Sequence, residues 1–337
     1  MKLDVEAVAK QLNNETLAAF QGKKILITGG GGYIASRIVN LLQDIDCSVI
    51  RLARPDAFLS PANGRLKIQD IVGDVRQIAV WEQALRDIDI VFHLAAQTSA
   101  YEANREPVDD LQSNVMPMLH MLETCLRKGW HKIILFSSTV TIAGIPVFLP
   151  VSEAHPENPV TIYDLHKQMA ENYLKYYIKQ DAIRGAVLRL ANVYGPGPKS
   201  SRSDRGILNQ MIRKALAGEP LTVYGVGAQL RDYVYVDDVA LAFLDAAGKI
   251  ESVNGRHFVI GSGQGYTIAQ AMSLVSERVA LKTGIAVPVL HVDSPSSLLP
   301  IESRNFVADT GQFNGATGWK AHYSLADGID RTVEAYL

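Results

Sequence analysis

A tyrosine and a lysine four residues apart, Tyr163 and Lys167, are the residues whose types and spacing most directly suggest chemistry. Side chains at positions i and i+4 of a helix share a face, so both can point into one site. An ammonium beside a phenol favours the phenolate form, which can accept and return a proton near neutral pH. Because a Y-x-x-x-K match also arises by chance in a chain of this length, its significance depends on where it stands relative to other motifs.

Thr139 supplies a third polar group near this pair. The segment that begins at Tyr163 follows an apolar run at 132–137, which is typical of a buried strand, and Thr139 lies just beyond that run. Ligands of open parallel sheets bind at the carboxyl ends of the strands. Thr139 can there hydrogen-bond the substrate oxygen that Tyr163 deprotonates, which predicts a catalytic set of Thr139, Tyr163 and Lys167. The alternative for Thr139 is a hydroxyl that caps a turn.

A glycine-rich turn joins the first apolar run of the chain to a helical segment. Gly29, Gly32 and Ala35 have the G-x-x-G-x-x-A spacing of a turn that binds the pyrophosphate of a dinucleotide at a helix N-terminus. A flexible loop is the alternative. The residues predicted to bind the cofactor are Gly29, Gly32, Tyr33, Ile34, Arg54, Asp74, Val75, Leu94, Ala95, Ala96, Tyr163 and Lys167.

The choice between NAD and NADP depends on the end of the second predicted strand. An acidic residue there is typical of NAD sites, but Ala53 occupies the position and Arg54 follows it. A guanidinium can clamp a 2′-phosphate, which leaves NADP open, whereas a solvated surface arginine carries no preference. Asp74, at the end of the third run, is a candidate adenine contact or a helix N-cap.

The elements that must position these residues alternate along the first two-thirds of the chain. This alternation predicts an α/β fold: a Rossmann-type doubly wound parallel sheet with a smaller C-terminal α/β substrate domain. The predicted strands are 24–28, 48–53, 66–72, 90–95, 132–137, 186–190, 221–224 and 257–260. The predicted helices are 5–12, 15–20, 33–43, 77–86, 108–128, 163–180, 207–217, 238–249, 268–282 and 325–336. The predicted units are an N-terminal helical arm at 1–22, a dinucleotide-binding domain at 23–190 to which 233–260 returns, and a substrate-binding domain at 191–232 and 261–337.

Composition excludes several classes of protein. The chain has 337 residues, of which 47% are hydrophobic and 20% charged, so it can bury a large core. A formal net charge of −2 argues against a nucleic-acid partner, and no apolar run approaches the roughly 18 residues of a membrane span, so a cytoplasmic protein is expected. Cys47 and Cys125 lack metal-ligand spacing, so no metal site is expected and both are predicted to be buried thiols.

Taken in order, the motifs resemble those of the extended short-chain dehydrogenase/reductases, and specifically the NAD-dependent epimerase/dehydratase family that acts on nucleotide sugars. The segments that carry the resemblance are TGGGGYIA at 28–35, HLAAQ at 93–97, YDLHK at 163–167, RLANVYGPG at 189–197 and GEPLTVYGVGAQLRDYVYVDDVA at 218–240. The resemblance implies a nucleotide-diphosphate sugar as substrate, a tightly bound NAD or NADP and a homodimer paired through the 108–128 and 163–180 helices. It implies that substrate contacts come from Gln97, Thr139, Asn192, Arg231 and Arg304, with Arg231 on the diphosphate. Lys199, Arg202 and Arg205 are candidates for further phosphate contact, or for a solvated loop.

Residues after Thr139 discriminate between the reactions that this family catalyses. Dehydratases and decarboxylases of the family carry acidic residues where Val140 and Thr141 stand, so dehydration is disfavoured here. The resemblance then implies an epimerase that inverts a sugar carbon, most simply C4, through a transient 4-keto intermediate with Tyr163 as acid and base. The alternatives are an NADPH-dependent reductase of a 4-keto-6-deoxy nucleotide sugar, a 4,6-dehydratase, and a non-catalytic nucleotide-binding protein. Ala143 stands where the family has a tyrosine, which leaves the sugar open.

Overall fold

A seven-stranded parallel sheet forms the centre of the molecule. The computed structural model describes residues 12, 14–57, 59, 66–197 and 206–337. Its strands are β1 Lys24–Thr28, β2 Ser48–Ala53, β3 Lys67–Val72, β4 Ile90–His93, β5 Ile133–Thr139, β6 Arg184–Leu190, β7 Asn192–Tyr194, β8 Leu221–Tyr224, β9 Leu230–Tyr235, β10 His257–Ile260, β11 Gly265–Thr267 and β12 Val289–Val292. The central sheet has the order β10-β6-β5-β4-β1-β2-β3, and every pairing in it is parallel. This order confirms the predicted doubly wound α/β fold.

Helices cover both faces of this sheet. They are α1 Asn14–Phe20, α2 Tyr33–Leu41, α3 Ile78–Ala84, α4 Ala100–Arg105, α5 Pro107–Asn114, α6 Met116–Lys128, α7 Ile162–Lys179, α8 Ile207–Leu216, α9 Val236–Gly248, α10 Ile250–Val253, α11 Ile268–Thr283, α12 Gly311–Thr317 and α13 Leu325–Tyr336. Short 3₁₀ turns form at Val140–Ala143 and Pro300–Ser303. In the described ranges, no helix is both long enough and apolar enough to cross a bilayer.

The residues of β1 alternate between two hydrophobic layers, which explains its run of consecutive apolar residues. The edge strand β3 is mostly exposed and carries polar residues. Ile25 and Ile27 of β1 join the layer formed with α1, α2 and α9, where Phe92 packs against Phe243. Leu26 faces the other layer, formed with α3, α6 and α7 around Trp81. Because both faces are buried, each strand position favours an apolar residue rather than an alternating pattern. Cys47 and Cys125 are buried free thiols, as predicted.

A smaller cluster packs beside the sheet. It combines the three-stranded sheet β11-β9-β7 and the pair β12-β8 with α8, α11 and α13, around Tyr194, Tyr235 and Ile329. Strand β9 starts at Leu230 and runs directly into α9, which packs on the central sheet. The chain therefore passes from the smaller cluster back to the large sheet without an intervening loop.

Several boundaries differ from those expected. The predicted helix 108–128 is two helices, α5 and α6, which break at Val115 because Pro117 lacks the amide that would continue the ladder. Strand β4 ends at His93 because the next two amides bond to a side chain instead of to the sheet. The predicted helix 5–12 lies outside the described residues except for Leu12, and the segment predicted at 15–20 forms α1.

Candidate active site

The glycine turn brings the N-terminus of α2 to the carboxyl edge of the sheet. Gly29 has a φ of +68°, and a Cβ added there would lie 3.1 Å from the backbone of Ala95. Gly32 precedes α2, donates its amide hydrogen bond to the Gly29 carbonyl at 2.7 Å and leaves no room for a side chain against that oxygen. Gly29 is required by its left-handed backbone, and Gly32 by the close approach of a carbonyl oxygen.

Thr28 fastens this turn to the neighbouring strand. Its Oγ1 accepts hydrogen bonds from the amides of Leu94 and Ala95, each at 3.1 Å, and lies 2.9 Å from His93 Nδ1. Burial lowers the pKa of His93 to about 3, helped by the nearby charge of Lys167, so the imidazole is neutral. Because Thr28 Oγ1 already accepts from two amides and the imidazole is neutral, the single hydroxyl proton of Thr28 is donated to Nδ1. Leu94 and Ala95, both predicted cofactor contacts, are held beside Gly29 as a result.

The two residues predicted at the adenosine end lie on neighbouring strand ends. Arg54 follows β2, its side chain is 70% exposed, and its Nε is 3.5 Å from Asp56. Asp74 follows β3, and its carboxylate accepts hydrogen bonds from the Arg76 amide at 2.9 Å and from the Arg76 guanidinium at 2.6 Å. The Arg76 hydrogen bonds hold the pKa of Asp74 below its ordinary value. The Arg54 side chain is thus mostly exposed to solvent, whereas both carboxylate oxygens of Asp74 are bonded to Arg76.

The remaining predicted cofactor residues lie around the same edge. The Tyr33 hydroxyl accepts a hydrogen bond from Asn209 Nδ2 at 3.3 Å, and a side chain at Gly197 would overlap the Tyr33 ring. Ile34 packs against the larger core layer. The Val75 carbonyl accepts from Trp81 Nε1 at 2.8 Å. Ala96 follows Ala95 in the loop after β4.

Lys167 is a deeply buried cation at this edge of the sheet. Its side chain is 2% exposed, its Nζ donates to the Ser137 carbonyl at 2.7 Å, and it lies 4.1 Å from the centre of the Phe136 ring. Burial lowers the pKa of Lys167 to about 7, against the opposing effect of Glu171 and Asp110. Tyr163 is half-buried one turn earlier on α7, and Thr139 is the last residue of β5, the strand that carries Ser137.

Thr139 is linked to a carboxyl group that sequence reasoning overlooked. Its Oγ1 lies 2.7 Å from Thr141 Oγ1 and also accepts from the Thr141 amide at 3.2 Å. Thr141 Oγ1 donates in turn to Asp164 Oδ1. Burial raises the pKa of Asp164, and the hydrogen bonds from Thr141 and Thr161 oppose that rise. A carboxyl group is thus connected to Thr139 through Thr141, although neither Val140 nor Thr141 is acidic.

Two buried guanidinium groups lie together on the substrate side. Arg231, on β9, donates Nη2 to the Glu302 carbonyl at 2.7 Å and Nη1 to the Arg304 carbonyl. Arg304 donates Nη1 to the Ile301 carbonyl at 2.9 Å, and burial followed by repulsion from Arg231 lowers its pKa to about 10. Asn192 is half-buried on β7, paired with Tyr233 two residues along β9 from Arg231. Glu302 Oε2 lies 3.6 Å from Arg231 and 4.0 Å from Arg304, so one carboxylate faces two cations. The excess positive charge favours an anion such as a diphosphate.

The side chain of Gln97, a predicted substrate contact, is hydrogen-bonded within the protein. Its Nε2 donates to the Ser99 carbonyl and to Asp110 Oδ1, both at 2.8 Å, and its Oε1 accepts from the Ser99 amide. Asp110 Oδ2 lies 2.7 Å from His166 Nδ1, so His166 is part of a buried network rather than a surface imidazole. Lys199, Arg202 and Arg205 lie outside the described residues.

A comparison with protein families decides the family of this chain. The model of the NAD dependent epimerase/dehydratase family matches residues 25–261, which covers the glycine turn, the catalytic candidates and Arg231. The chain belongs to this family.

Individual members of the family are similar along almost their whole length. A protein of Methanocaldococcus jannaschii, provisionally named a UDP-glucose 4-epimerase, is 32% identical over 92% of this chain and 97% of its own. The structure of Thermotoga maritima UDP-glucose 4-epimerase with UDP-glucose has a TM-score of 0.82 and 30% identity, covering 93% of this chain and 98% of that one. Thermus thermophilus UDP-glucose 4-epimerase complexed with NAD has a TM-score of 0.80 and 28% identity over 93% of this chain and 98% of that one.

In this epimerase/dehydratase family member, sequence reasoning missed Thr28 and Asp164, which hydrogen-bond other residues of the candidate site. Thr28 could have been found as a hydroxyl residue between a buried strand and the glycine turn. Asp164 gives no such signal, because a residue directly after Tyr163 points about 100° away from it around a helix. The link between Asp164 and Thr141 exists only in the folded chain, where α7 packs against the Val140–Ala143 turn.

Proposed function

We propose that this protein is an NAD-dependent nucleotide-sugar epimerase that inverts C4 of the sugar of a UDP-sugar. The observation that carries the proposal is the arrangement of Lys167, Tyr163 and Thr139 at the carboxyl edge of the sheet, on α7 and β5. The family is one of NAD-dependent enzymes, and the similar proteins of known structure carry UDP-glucose or NAD in their names.

The residues of the glycine turn fit a dinucleotide. Gly29 and Gly32 leave the turn without side chains, and α2 presents its free N-terminal amides at the same place, which suits a pyrophosphate. Leu94 and Ala95 line the adjacent loop, and Lys167 and Tyr163 reach the nicotinamide end. When bound there, NAD supplies reversible hydride transfer.

The side chains of this chain supply proton transfer and orientation. Tyr163, as phenolate, takes the proton of the sugar 4-hydroxyl when C4 is oxidised to a ketone and gives it back when C4 is reduced. Lys167 stabilises the phenolate by its charge, which acts strongly because the site is desolvated. Thr139 donates a hydrogen bond to the 4-oxygen, and Arg231 with Arg304 holds the diphosphate so that the sugar alone turns over between the two transfers.

Proton NMR of a panel of UDP-sugars incubated with the purified protein tests this function. UDP-glucose, UDP-galactose and their N-acetylamino counterparts are each followed for the appearance of the C4 epimer. The proposal predicts interconversion of at least one pair without added reductant, and NAD released on denaturation. Formation of a 4-keto-6-deoxy sugar would indicate a dehydratase, and turnover only of a keto sugar with NADPH would indicate the reductase. Failure to convert any sugar of the panel would contradict the proposal.

A homodimer is the assembly we propose for the enzyme. Apolar side chains are exposed on three of the helices within the ranges predicted to pair, namely Val108 on α5, Leu126 on α6, and Leu165 and Tyr176 on α7. Large apolar groups on neighbouring helices favour burial against a second copy.

A further inference from the structure

A buried carboxyl group is joined to the predicted hydrogen-bond donor of the site through one intervening hydroxyl. Thr139 Oγ1 is 2.7 Å from Thr141 Oγ1, and Thr141 Oγ1 is hydrogen-bonded to Asp164 Oδ1. Asp164 is 1% exposed and follows Tyr163 on α7. The three groups form a short chain whose protons can be ordered in two directions.

Counting protons shows what each direction does to Thr139. When Asp164 is ionised it can only accept, so Thr141 donates to it and Thr139 must donate to Thr141. The single hydroxyl proton of Thr139 is then donated to Thr141, so none is left for a substrate oxygen, and the Thr141 amide only donates to Thr139 Oγ1. When Asp164 is protonated it donates to Thr141, Thr141 donates to Thr139, and the Thr139 hydroxyl is free to donate to the substrate.

The surroundings of Asp164 favour the protonated form more than an exposed carboxyl group would. Asp164 Oδ2 is buried and has no hydrogen-bond partner in the described part of the chain. An ionised oxygen without a donor costs free energy, and burial raises the pKa of Asp164 accordingly. The opposing groups are the Thr141 hydroxyl, the Thr161 hydroxyl and amide contact at the start of α7, and the charge of Arg304 across the site.

Other charged groups on the surrounding elements are already paired. Arg105 of α4 is bonded to Glu102, and Asp110 of α5 is bonded to His166. On α7 itself, Lys167 donates to the Ser137 carbonyl. Arg304 is the cation whose charge favours the ionised form of Asp164. It lies with Arg231 where the diphosphate is proposed to bind.

We propose that Asp164 is a positioning residue for catalysis, which acts through Thr141 and sets whether Thr139 can donate to the 4-oxygen of the sugar. This inference rests on the proposed epimerase function. Deprotonation of Asp164 reverses the hydrogen-bond chain and withdraws the donor, so the contribution of Thr139 to turnover is lost as pH rises. The neighbouring Tyr163 and Lys167 are unaffected by that reversal except through charge.

Turnover of UDP-glucose as a function of pH tests the proposal in a double-mutant cycle. Asp164→Asn cannot ionise and can donate through its amide, so Thr139 remains a donor at every pH. As pH rises through the titration of Asp164, the ratio of Asp164→Asn to wild-type kcat should increase by roughly tenfold. In the Thr139→Val background, the ratio of kcat with Asp164→Asn to kcat without it should stay constant within about twofold over the same pH range. Asp44→Asn, which removes an exposed carboxylate, should match the wild type.

Two results would overturn the proposal in that experiment. Parallel pH profiles of wild type and Asp164→Asn would show that ionisation of Asp164 does not reach the site. The same change of ratio with and without the Thr139 hydroxyl would show that Asp164 acts by another route. Thr141→Ser keeps the hydroxyl and should keep the wild-type pH profile of kcat. In Thr141→Val, which lacks the hydroxyl, Asp164→Asn should no longer change that profile. The two variants therefore separate the effect of the hydroxyl from that of side-chain packing.

A readout that needs no turnover separates failure of this inference from failure of the proposed function. In protein labelled with ¹³C at the aspartate carboxyl groups, the NMR signal absent from Asp164→Asn belongs to Asp164. Loss of the Thr141 hydroxyl in Thr141→Val should move its titration midpoint upward by about one pH unit relative to Thr141→Ser. Equal midpoints would refute the link between Asp164 and Thr141 whatever sugar the enzyme accepts. Absence of any sugar conversion, with the shift present, would instead contradict the epimerase assignment and the catalytic role of Asp164.

Discussion

The buried ammonium of Lys167, for which we propose a catalytic role, lowers the stability of the fold. Burial lowers the pKa of Lys167 to about 7, whereas in the unfolded chain the side chain keeps the ordinary value near 10.5. Between these values the unfolded state binds more protons than the folded state, so the free energy of unfolding rises with pH. Below about pH 7 the full cost of the buried charge is present.

Replacement of this lysine should therefore stabilise the ligand-free protein while removing activity. Lys167→Met keeps the volume and removes the charge, so the free energy of unfolding should exceed that of wild type at pH 6.5. The excess should shrink by about 2–3 kcal/mol at pH 9.5, where the wild-type ammonium is lost. Urea unfolding of both proteins at the two pH values measures this. An excess that does not change with pH would contradict the assigned burial cost.

Arg231 should act on binding of the nucleotide rather than on the sugar. Arg231→Ala should raise KM for a UDP-sugar by roughly 10²-fold, because it removes a buried cation from the diphosphate, and should leave the rate with the free sugar nearly unchanged. Steady-state kinetics with both substrates, together with the melting temperature of the variant, provide the measurement. Equal losses with both substrates would disprove the diphosphate role.

At this scale, the sequence suggests candidate residues through spacing and motifs. Tyr163 and Lys167 were found because their spacing matches one turn of a helix, and Arg231 because of a motif. The hydrogen bonds of Gln97 within a polar network, and the link from Asp164 to Thr141, were not predicted. Hydrogen bonds between distant segments decide both, and no local pattern encodes them.

The turn between β1 and α2 is the element that we propose binds the cofactor pyrophosphate. The residues at which this turn begins and ends can be predicted from the sequence, because the glycines directly follow the apolar run of β1. The loop after β4 approaches it so closely that position 29 has no room for a side chain. Any group added there must displace Ala95 or strain the backbone.

Gly29→Ala should weaken NAD binding more than it lowers stability. Gly22 is a matched control, because it has a φ of +70° but no atom within 4 Å of an added Cβ. Both alanine variants carry the same backbone strain, about 1 kcal/mol, while only Gly29→Ala disturbs the loop. Calorimetric titration of the cofactor-free variants with NAD should show a loss of about tenfold or more for Gly29→Ala alone. Equal affinities in the two variants would mean that the close approach to Ala95 does not shape the site.

Short elements are where prediction from sequence failed. Strands β7, β9 and β11 have three to six residues and mix polar with apolar side chains, so they lack a clear period. Their hydrogen bonds pair segments far apart in the chain. The break between α5 and α6, by contrast, is readable from Pro117 once its position in the turn is considered.

At the scale of the molecule, the order of the central sheet brings every catalytic candidate to one edge. Strands β1, β4 and β5 are neighbours, so Gly29, Ala95 and Thr139 follow three adjacent strand ends. Right-handed crossovers and buried apolar strands make this order predictable. Placement of Arg231 and Arg304 depends instead on the small β11-β9-β7 sheet and the Pro300–Ser303 turn, which sequence patterns did not reveal.

The dimer we propose makes a prediction at the same scale. A double variant, Val108→Glu with Tyr176→Glu, should convert a dimer to a monomer, because it places charges on the exposed apolar surface of α5 and α7. Leu281→Glu, on the exposed side of α11, is the matched control and should remain a dimer. Light scattering coupled to size-exclusion chromatography gives the mass. A monomeric wild type, or a double variant that stays dimeric, would rule out this surface.

The fate of the C4 hydrogen tests the central claim most directly. UDP-glucose labelled with deuterium at C4 is incubated with the enzyme in ordinary water, and UDP-galactose is analysed by NMR and mass spectrometry. Oxidation and reduction at one carbon, with Tyr163 handling only the hydroxyl proton, predict that UDP-galactose keeps the deuterium at C4. Tyr163→Phe should slow its formation by about 10²-fold or more without changing the label. Loss of the deuterium to solvent, or unchanged turnover in Tyr163→Phe, would contradict the account.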